Sequence, residues 1–388
     1  MKITSDPLSL LSAARTDRGF LASASDIDNY KRIWARDGVI CGLAALLSGN
    51  QSLIQTFQAT LQTLANHQHE LGHIPSNVNF KENGKVEISF GGLAGRVDTI
   101  SWFIIGVCNY AESTNNLDFF KKMLPNINRG FQLLKAWEFN NNHLIYVPRS
   151  GNWADEYITE GHIFYDQVLR LWALRCVQRL DPTDQMAQQI DTITRILEGN
   201  YTAGSYATPF HPKAYKEIIN KPYWMASINP SGYQTMFDAF GNSIALLLGL
   251  GEVRFRESVL IYTENLRNEL PLKLLPAFWE TIKEGDKNWE LLTHNCKYEF
   301  RNYAYEFHNG GTWQMVNGFY GMALSASKNQ SARDVLEQIT TLNAAENNGY
   351  YENFNSKTSN AIGIKYCTWS AAGAILVEEY INGKRLLV

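Results

Sequence analysis

Six carboxylates in this sequence stand beside aromatic or amide side chains in polar segments. Asp37 follows Trp34 and Arg36, and Asp98 follows Arg96 and precedes Trp102. Asp155 and Glu156 follow Asn152-Trp153; Glu306 precedes His308-Asn309-Gly310-Gly311-Thr312-Trp313; Glu352 follows Tyr350-Tyr351. Thr368-Trp369 is a further segment of the same kind. Sugars need that mixture, because their C–H faces stack on rings while their hydroxyls pair with Asp, Asn and Arg. Two carboxyl groups facing across such a pocket can hydrolyse a glycosidic bond. One protonates the leaving oxygen, and the other activates water or attacks the sugar itself. Spacing does not rank Asp37, Asp98, Asp155, Glu156, Glu306 and Glu352, since the pair must come from different loops.

Each feature also has a plainer explanation. An Asp at a helix start is an N-cap, a Trp on a buried helix is core, and Gly-Gly is a turn. The coincidence of five loops, each with a carboxylate or amide beside a ring, favours a pocket. Other chemistries lack their marks: there is no G-x-S-x-G elbow, no G-x-G-x-x-G and no phosphate-binding loop. His67 and His69 lie at i, i+2 and face apart on a helix, with His73 nearby. No metal site and no cofactor are expected.

The elements that must position these residues are helical almost throughout. About twelve helices are expected, near 7–22, 36–48, 51–69, 98–112, 117–137, 162–179, 184–199, 236–249, 252–268, 312–326, 330–345 and 367–381. The segments at 36–48, 98–112, 312–326 and 367–381 are apolar nearly all round, which marks buried helices; 51–69 and 330–345 are amphipathic and read as an outer layer. Links from inner to outer helices are short and links from outer to inner are long, which makes antiparallel hairpins. Six such hairpins fit an all-α fold, an (α/α)6 barrel with every long loop at one end. The chain, 1–388, then forms a single domain, with 1–30 an N-terminal helix and lead-in. An open α-solenoid is the alternative, opposed by the unequal loops.

Composition bounds the rest. The 388 residues are 45% hydrophobic and 19% charged, with net charge −3 and 12% aromatic content. That excludes wholesale disorder and argues against a nucleic-acid or membrane partner. No apolar stretch is long enough for a membrane span, and the first residues lack the apolar run of a signal peptide. Five dispersed cysteines without a C-x-x-C read as reduced thiols of a cytoplasmic protein. The expected partner is a small carbohydrate substrate; homo-oligomerisation stays open.

At these residues the chain resembles the alkaline/neutral invertases, glycoside hydrolase family 100, and more loosely the catalytic domain of glycogen debranching enzymes and the trehalase-like clan. The match runs over about 30–382. Arg36-Asp37 before an apolar helix looks like the family's R-D start, and FGGLAGRVDTISW (90–102) is similar to its G-R-V-A-P-V-D-S-G-x-W-W stretch, shortened. Residues 307–313 look like Y-H-N-G-G-S-W, residues 350–358 like W-P-E-Y-Y-D-G-K-T, and residues 366–373 like Y-Q-T-W-S-I-A-G. The resemblance implies an (α/α)6 barrel and an inverting glycosidase. It puts the general acid on Asp155, eleven residues before Asp166, and the general base on Glu352. Asp37, Asp98, His308 and Asn309 fall on sugar-binding positions. The neighbouring Trp34, Arg36, Arg96, Trp102, Trp153, Glu306, Trp313, Tyr351 and Trp369 join them as candidate substrate-binding residues. Glu156-Tyr157 replaces the family's double Arg after the acid, and Tyr351 replaces Pro before the base. The expected reaction is exo-acting hydrolysis of small α-glucosides, sucrose first. A debranching-type α-1,6-glucosidase, a sugar epimerase on the same barrel, which would need paired histidines, and a non-catalytic carbohydrate-binding relative are the alternatives.

Overall fold

A computed structural model describes residues 3–27, 29–202 and 209–388, and these hold thirteen helices. They are α1 (Pro7–Ala13), α2 (Ala35–Ser48), α3 (Gln51–Asn66), α4 (Asp98–Thr114), α5 (Leu117–Ala136), α6 (Phe164–Leu180), α7 (Asp184–Asn200), α8 (Ala239–Leu247), α9 (Val253–Glu269), α10 (Trp289–His294), α11 (Gln314–Ala326), α12 (Ser331–Asn348) and α13 (Thr368–Ile381). Six of them are buried on nearly every side, as a continuously apolar helix must be. Every residue of α2 from Ala35 to Leu47 is buried, and every residue of α4 from Asp98 to Ala111. These six touch in a cycle: α2 packs on α4, α4 on α6, α6 on α8, α8 on α11, α11 on α13, and α13 on α2. The closest approach uses Gly318 and Gly373, where a Cβ on Gly318 would fall 2.6 Å from the Gly373 Cα.

The amphipathic helices α3, α5, α7 and α12 cover α2, α4, α6 and α11 respectively. The links within these hairpins are short because caps end one helix and start the next. Gly49 and Asn115 take left-handed conformations at the C-termini of α2 and α4. Asn50 and Asn116 then accept backbone N–H groups of α3 and α5, removing the orphan donors of a helix start.

The long loops hold what periodicity did not reveal. A helix over 7–22 was expected, but α1 stops at Ala13 and Arg15–Thr16 pairs with Gly19–Phe20 in a hairpin. The Phe20 N–H donates to Thr60 Oγ1 at 3.0 Å, docking that hairpin on α3. The expected 236–249 helix starts only at Ala239, because Gly232–Asp238 is a strand paired with Met225–Asn229 and Phe278–Trp279. A second sheet joins Ile33–Trp34, Asn77–Phe80 and Val86–Ser89. The fold is therefore helix-rich rather than purely helical. Several strands run directly into inner helices and so fix where those helices begin. At the other end, residues 384–388 cross α4 and α6: Trp172 Nε1 donates to the Leu387 carbonyl at 2.7 Å, and the Leu387 N–H donates to Asn109 Oδ1 at 2.8 Å. Among the described residues no helix is long and apolar enough to cross a membrane. Cys41, Cys108, Cys176 and Cys367 are buried free thiols, and Cys296 is exposed.

Candidate active site

Four inner helices start on a buried carboxylate: Asp37 and Asp166 in the first turns of α2 and α6, Asp98 at the start of α4, and Asp238 as the N-cap of α8. Helix N-termini favour negative charge, which offsets part of the cost of burying it. Burial still dominates. It raises Asp37 to about 6 and Asp238 to about 7, and holds Asp166 well above the ordinary range with help from the Asp98 charge. Arg36 Nη1 pairs with Asp98 Oδ2 at 3.0 Å. The Tyr165 hydroxyl donates to the same oxygen at 3.0 Å, and Trp102 Nε1 donates to Tyr165 at 2.8 Å. Arg36 Nε and Asp98 Oδ1 are buried with no hydrogen-bond partner. Unpaired buried donors and acceptors are costly, so a polar ligand reaching this pair would complete the bonding.

Asp155 stands on the loop before α6, its side chain 29% exposed. Arg96 Nη2 holds Asp155 Oδ2 at 2.7 Å. The same guanidinium donates through Nη1 to the carbonyls of Gly91, Gly95 and Ser150, tying two loops together. Asp155 Oδ1 makes no hydrogen bond among the described residues.

Glu352 lies in the last long loop, next to the paired strands Asn353–Phe354 and Ala361–Ile362. Its Oε1 accepts the Tyr30 hydroxyl at 3.1 Å, and its Oε2 is buried without a partner. Burial lifts Glu352 to about 7; Arg301 and the Tyr30 hydrogen bond oppose the rise, and the charges of Asp37 and Asp155 add to it. Glu352 is therefore within electrostatic reach of Asp37 and Asp155. Gly363 makes room for the carboxylate: its φ is +78° and a Cβ there would fall 2.3 Å from Glu352 Oε2.

Aromatic rings stand near these charged groups. His308 stacks on Trp313 with 4° between planes and 5.2 Å between centroids, and Trp153 meets both edge-on. Trp369 meets Trp313 edge-on. Trp153 Nε1, Trp369 Nε1 and His308 Nδ1 are buried and unpartnered. Burial and the nearby Arg301, Arg36 and Arg96 charges push His308 down to about 3 against the pull of Asp155, so its ring is neutral. At the rim, Arg301 chelates Glu156 and lies over the Phe307 ring at 4.3 Å. Asn29, Tyr30 and residues 297–301 with Tyr303 line a cleft of about 710 Å³ there.

Other residues expected in the site have partners within the protein. Trp102 is fully enclosed among Phe240, Trp172 and Phe319, and is linked to Asp98 through the Tyr165 hydroxyl. Asn309 spends its amide on the backbone of Ile282 and Asn302. The Tyr351 hydroxyl turns to Glu346, with Lys365 over its ring. Glu306 is held by Asn355 at 3.0 Å, and Trp34 Nε1 donates to the Asn29 carbonyl at 2.9 Å. Sequence reasoning missed Tyr30, Tyr165 and Arg301. Only Tyr165 carried a signal, as a polar ring next to Asp166 in the first turn of a buried helix. Among the described residues no His, Cys, Asp and Glu group is arranged to hold a metal ion.

Comparison with known proteins agrees with this architecture. The family model described as "Alkaline and neutral invertase" matches residues 12–202 and 213–383. Alkaline/neutral invertase CINV2 of Arabidopsis thaliana is 21% identical over 432 residues, spanning 93% of this chain and 74% of the relative. Cytosolic invertase 1 of Oryza sativa subsp. japonica is 21% identical over 430 residues, spanning 95% and 74%. Among solved structures, a GH63 mannosylglycerate hydrolase from Thermus thermophilus in complex with glucose superposes with a TM-score of 0.71 at 12% identity, covering 97% of this chain and 99% of that one. A bacterial glucoamylase complexed with acarbose gives 0.64 at 14% identity, covering 98% and 55%.

Proposed function

Because the chain belongs to the alkaline and neutral invertase family, and is thus a glycoside hydrolase, we propose that it hydrolyses small α-glucosides, sucrose first, by an exo-acting inverting mechanism. The fold is read as a single-domain (α/α)6 barrel, supported by the cyclic contacts of the six buried helices. A cytoplasmic location is supported by the relative named cytosolic.

The observation that supports the mechanism is that two differently held carboxylates, Asp155 and Glu352, are within electrostatic reach of each other. Asp155 is anchored through Oδ2 and keeps Oδ1 open; Glu352 is anchored through Oε1 and keeps Oε2 open. In the proposed reaction Asp155 Oδ1 delivers a proton to the glycosidic oxygen as the bond to C1 breaks. Ionised Glu352 takes a proton through Oε2 from a water that attacks C1 from the other face, inverting the anomeric centre. Arg36, Asp37 and Asp98 bind the glucosyl hydroxyls, and the rings of His308, Trp313 and Trp369 receive its C–H face. The epimerase alternative needs two free histidines, whereas His73 and His162 each bond a backbone carbonyl.

The test is NMR of the anomer first released from sucrose. β-Glucose ahead of mutarotation is the expected product. α-Glucose would mean a retaining reaction, and the absence of cleavage across a panel with sucrose, isomaltose and mannosylglycerate would overturn the proposal.

A further inference from the structure

We propose that the cleft on the far side of the Phe278–Ile282 segment is a second carbohydrate-binding site, taking a neutral mono- or disaccharide against the Trp279 ring. Successive strand residues point to opposite faces. Phe278 stacks on Tyr157 at 4.4 Å and on Trp153 at 6.0 Å, so it faces the rings beside Asp155. Trp279 faces the other way, into a cleft of about 910 Å³ that none of the candidate catalytic or substrate-binding residues lines. That volume is the size of a small-molecule site, within about 300–1,000 Å³.

The lining has the chemistry of sugar recognition. Tyr223, Tyr262 and Trp279 supply rings, with Tyr223 and Tyr262 braced against each other at 4.7 Å and against Phe237 at 5.2 Å each. Tyr223 is fixed further by its hydroxyl, which donates to the Thr235 carbonyl at 3.1 Å. A braced ring loses little entropy when a sugar stacks on it. Glu280 is exposed, lies close enough to oppose ionisation of both tyrosines, and makes no hydrogen bond or ion pair among the described residues. Its carboxylate is free to accept two vicinal hydroxyls. The Tyr233 hydroxyl, also in the lining, is buried without a partner. Charges of both signs line the cleft, Glu160, Glu280 and Asp286 against Lys221 and Lys287, which suits a neutral polyol rather than a phosphate-bearing ligand.

This inference shares with the proposed function the premise that sugars are the ligand class, but its test separates the two. Calorimetric titration of sucrose into the Asp155→Asn protein is expected to give two sites per chain. Adding Trp279→Ala is expected to leave one, and adding Glu280→Gln to weaken the second site at least fivefold. Tyr262→Ala on α9 serves as the second variant should Trp279→Ala fail to fold by circular dichroism. A stoichiometry that none of these changes alters overturns the second site, even with normal sucrose hydrolysis by the wild type. Trp279-sensitive binding without hydrolysis by the wild type upholds the second site while the catalytic reading falls.

Discussion

The Tyr30 hydroxyl donates to Oε1 of Glu352 at 3.1 Å across 322 residues of sequence. The segment ahead of α2 and the last long loop thus converge on one carboxylate, and Arg301 brings a third segment to it. Glu352 is held by one hydrogen bond and one nearby charge, with its second oxygen left open. That arrangement suits a group that must take a proton and give it up again.

Asp155→Asn and Glu352→Gln are each expected to lower kcat at least about 10²–10⁴-fold, the contribution usual for positioned acids and bases. KM should change little by comparison, and both variants should stay folded. Steady-state kinetics with thermal denaturation checks this, and near-normal turnover in one variant would reassign that residue.

The pH profile follows from Glu352, which as the proposed base must be ionised and is raised to about 7. Activity is expected to fall as pH drops through about 7. Tyr30→Phe removes a hydrogen bond that lowers Glu352, so the acid limb of kcat/KM should move to higher pH, with smaller losses at pH 9 than at pH 7. An unmoved limb would show that another group sets it.

The same shift has a signed effect on stability. Glu352 has its folded value raised above the ordinary 4.5. The folded state thus binds the extra proton between about 4.5 and 7, and the stability this gives is present at low pH and lost as pH rises through 7. Glu352→Gln should therefore unfold at a higher temperature than wild type at pH 8, by an amount on the order of 1–3 kcal/mol. The gap should close toward pH 5. Denaturant titrations at the two pH values measure it.

Gly363→Ala is expected to act on catalysis more than on folding. The new Cβ would sit on Glu352 Oε2, and φ of +78° disfavours any side chain. Stability should fall by roughly 1–2 kcal/mol while kcat falls by an order of magnitude or more. Double-mutant kinetics with Glu352→Gln provides the check: Gly363→Ala should cost little more once Glu352 is gone.

The fold was legible where one period dominated. The apolar segments at 36–48, 98–112 and 367–381 are the buried helices α2, α4 and α13 to within a few residues. The strands were not legible, because two to seven residues inside a loop carry too little alternation, and their partners are distant in sequence. Candidate site residues could be named where a carboxylate stood beside a ring, as at Trp153 and Asp155. Tyr30 and Arg301 did not, since nothing local tells a lead-in tyrosine that its partner is residue 352. Trp102 was misplaced for a related reason: spacing puts it one turn into α4 but does not say whether its ring points up to the mouth or across to Phe240 and Phe319.

The contact between α13 and α2 also dictates an order of events during synthesis. α13 packs on α2, and Thr368 Oγ1 donates to the Ala22 carbonyl in the segment ahead of α2, across 346 residues, so the first inner helix waits for the last one to be made. Until then α2 offers its oily flank to the surroundings, and a nascent chain lacking α13 is a client for chaperones rather than a smaller enzyme. Stopping translation before residue 368 should give insoluble product, and supplying 360–388 afterwards should be too slow to rescue it.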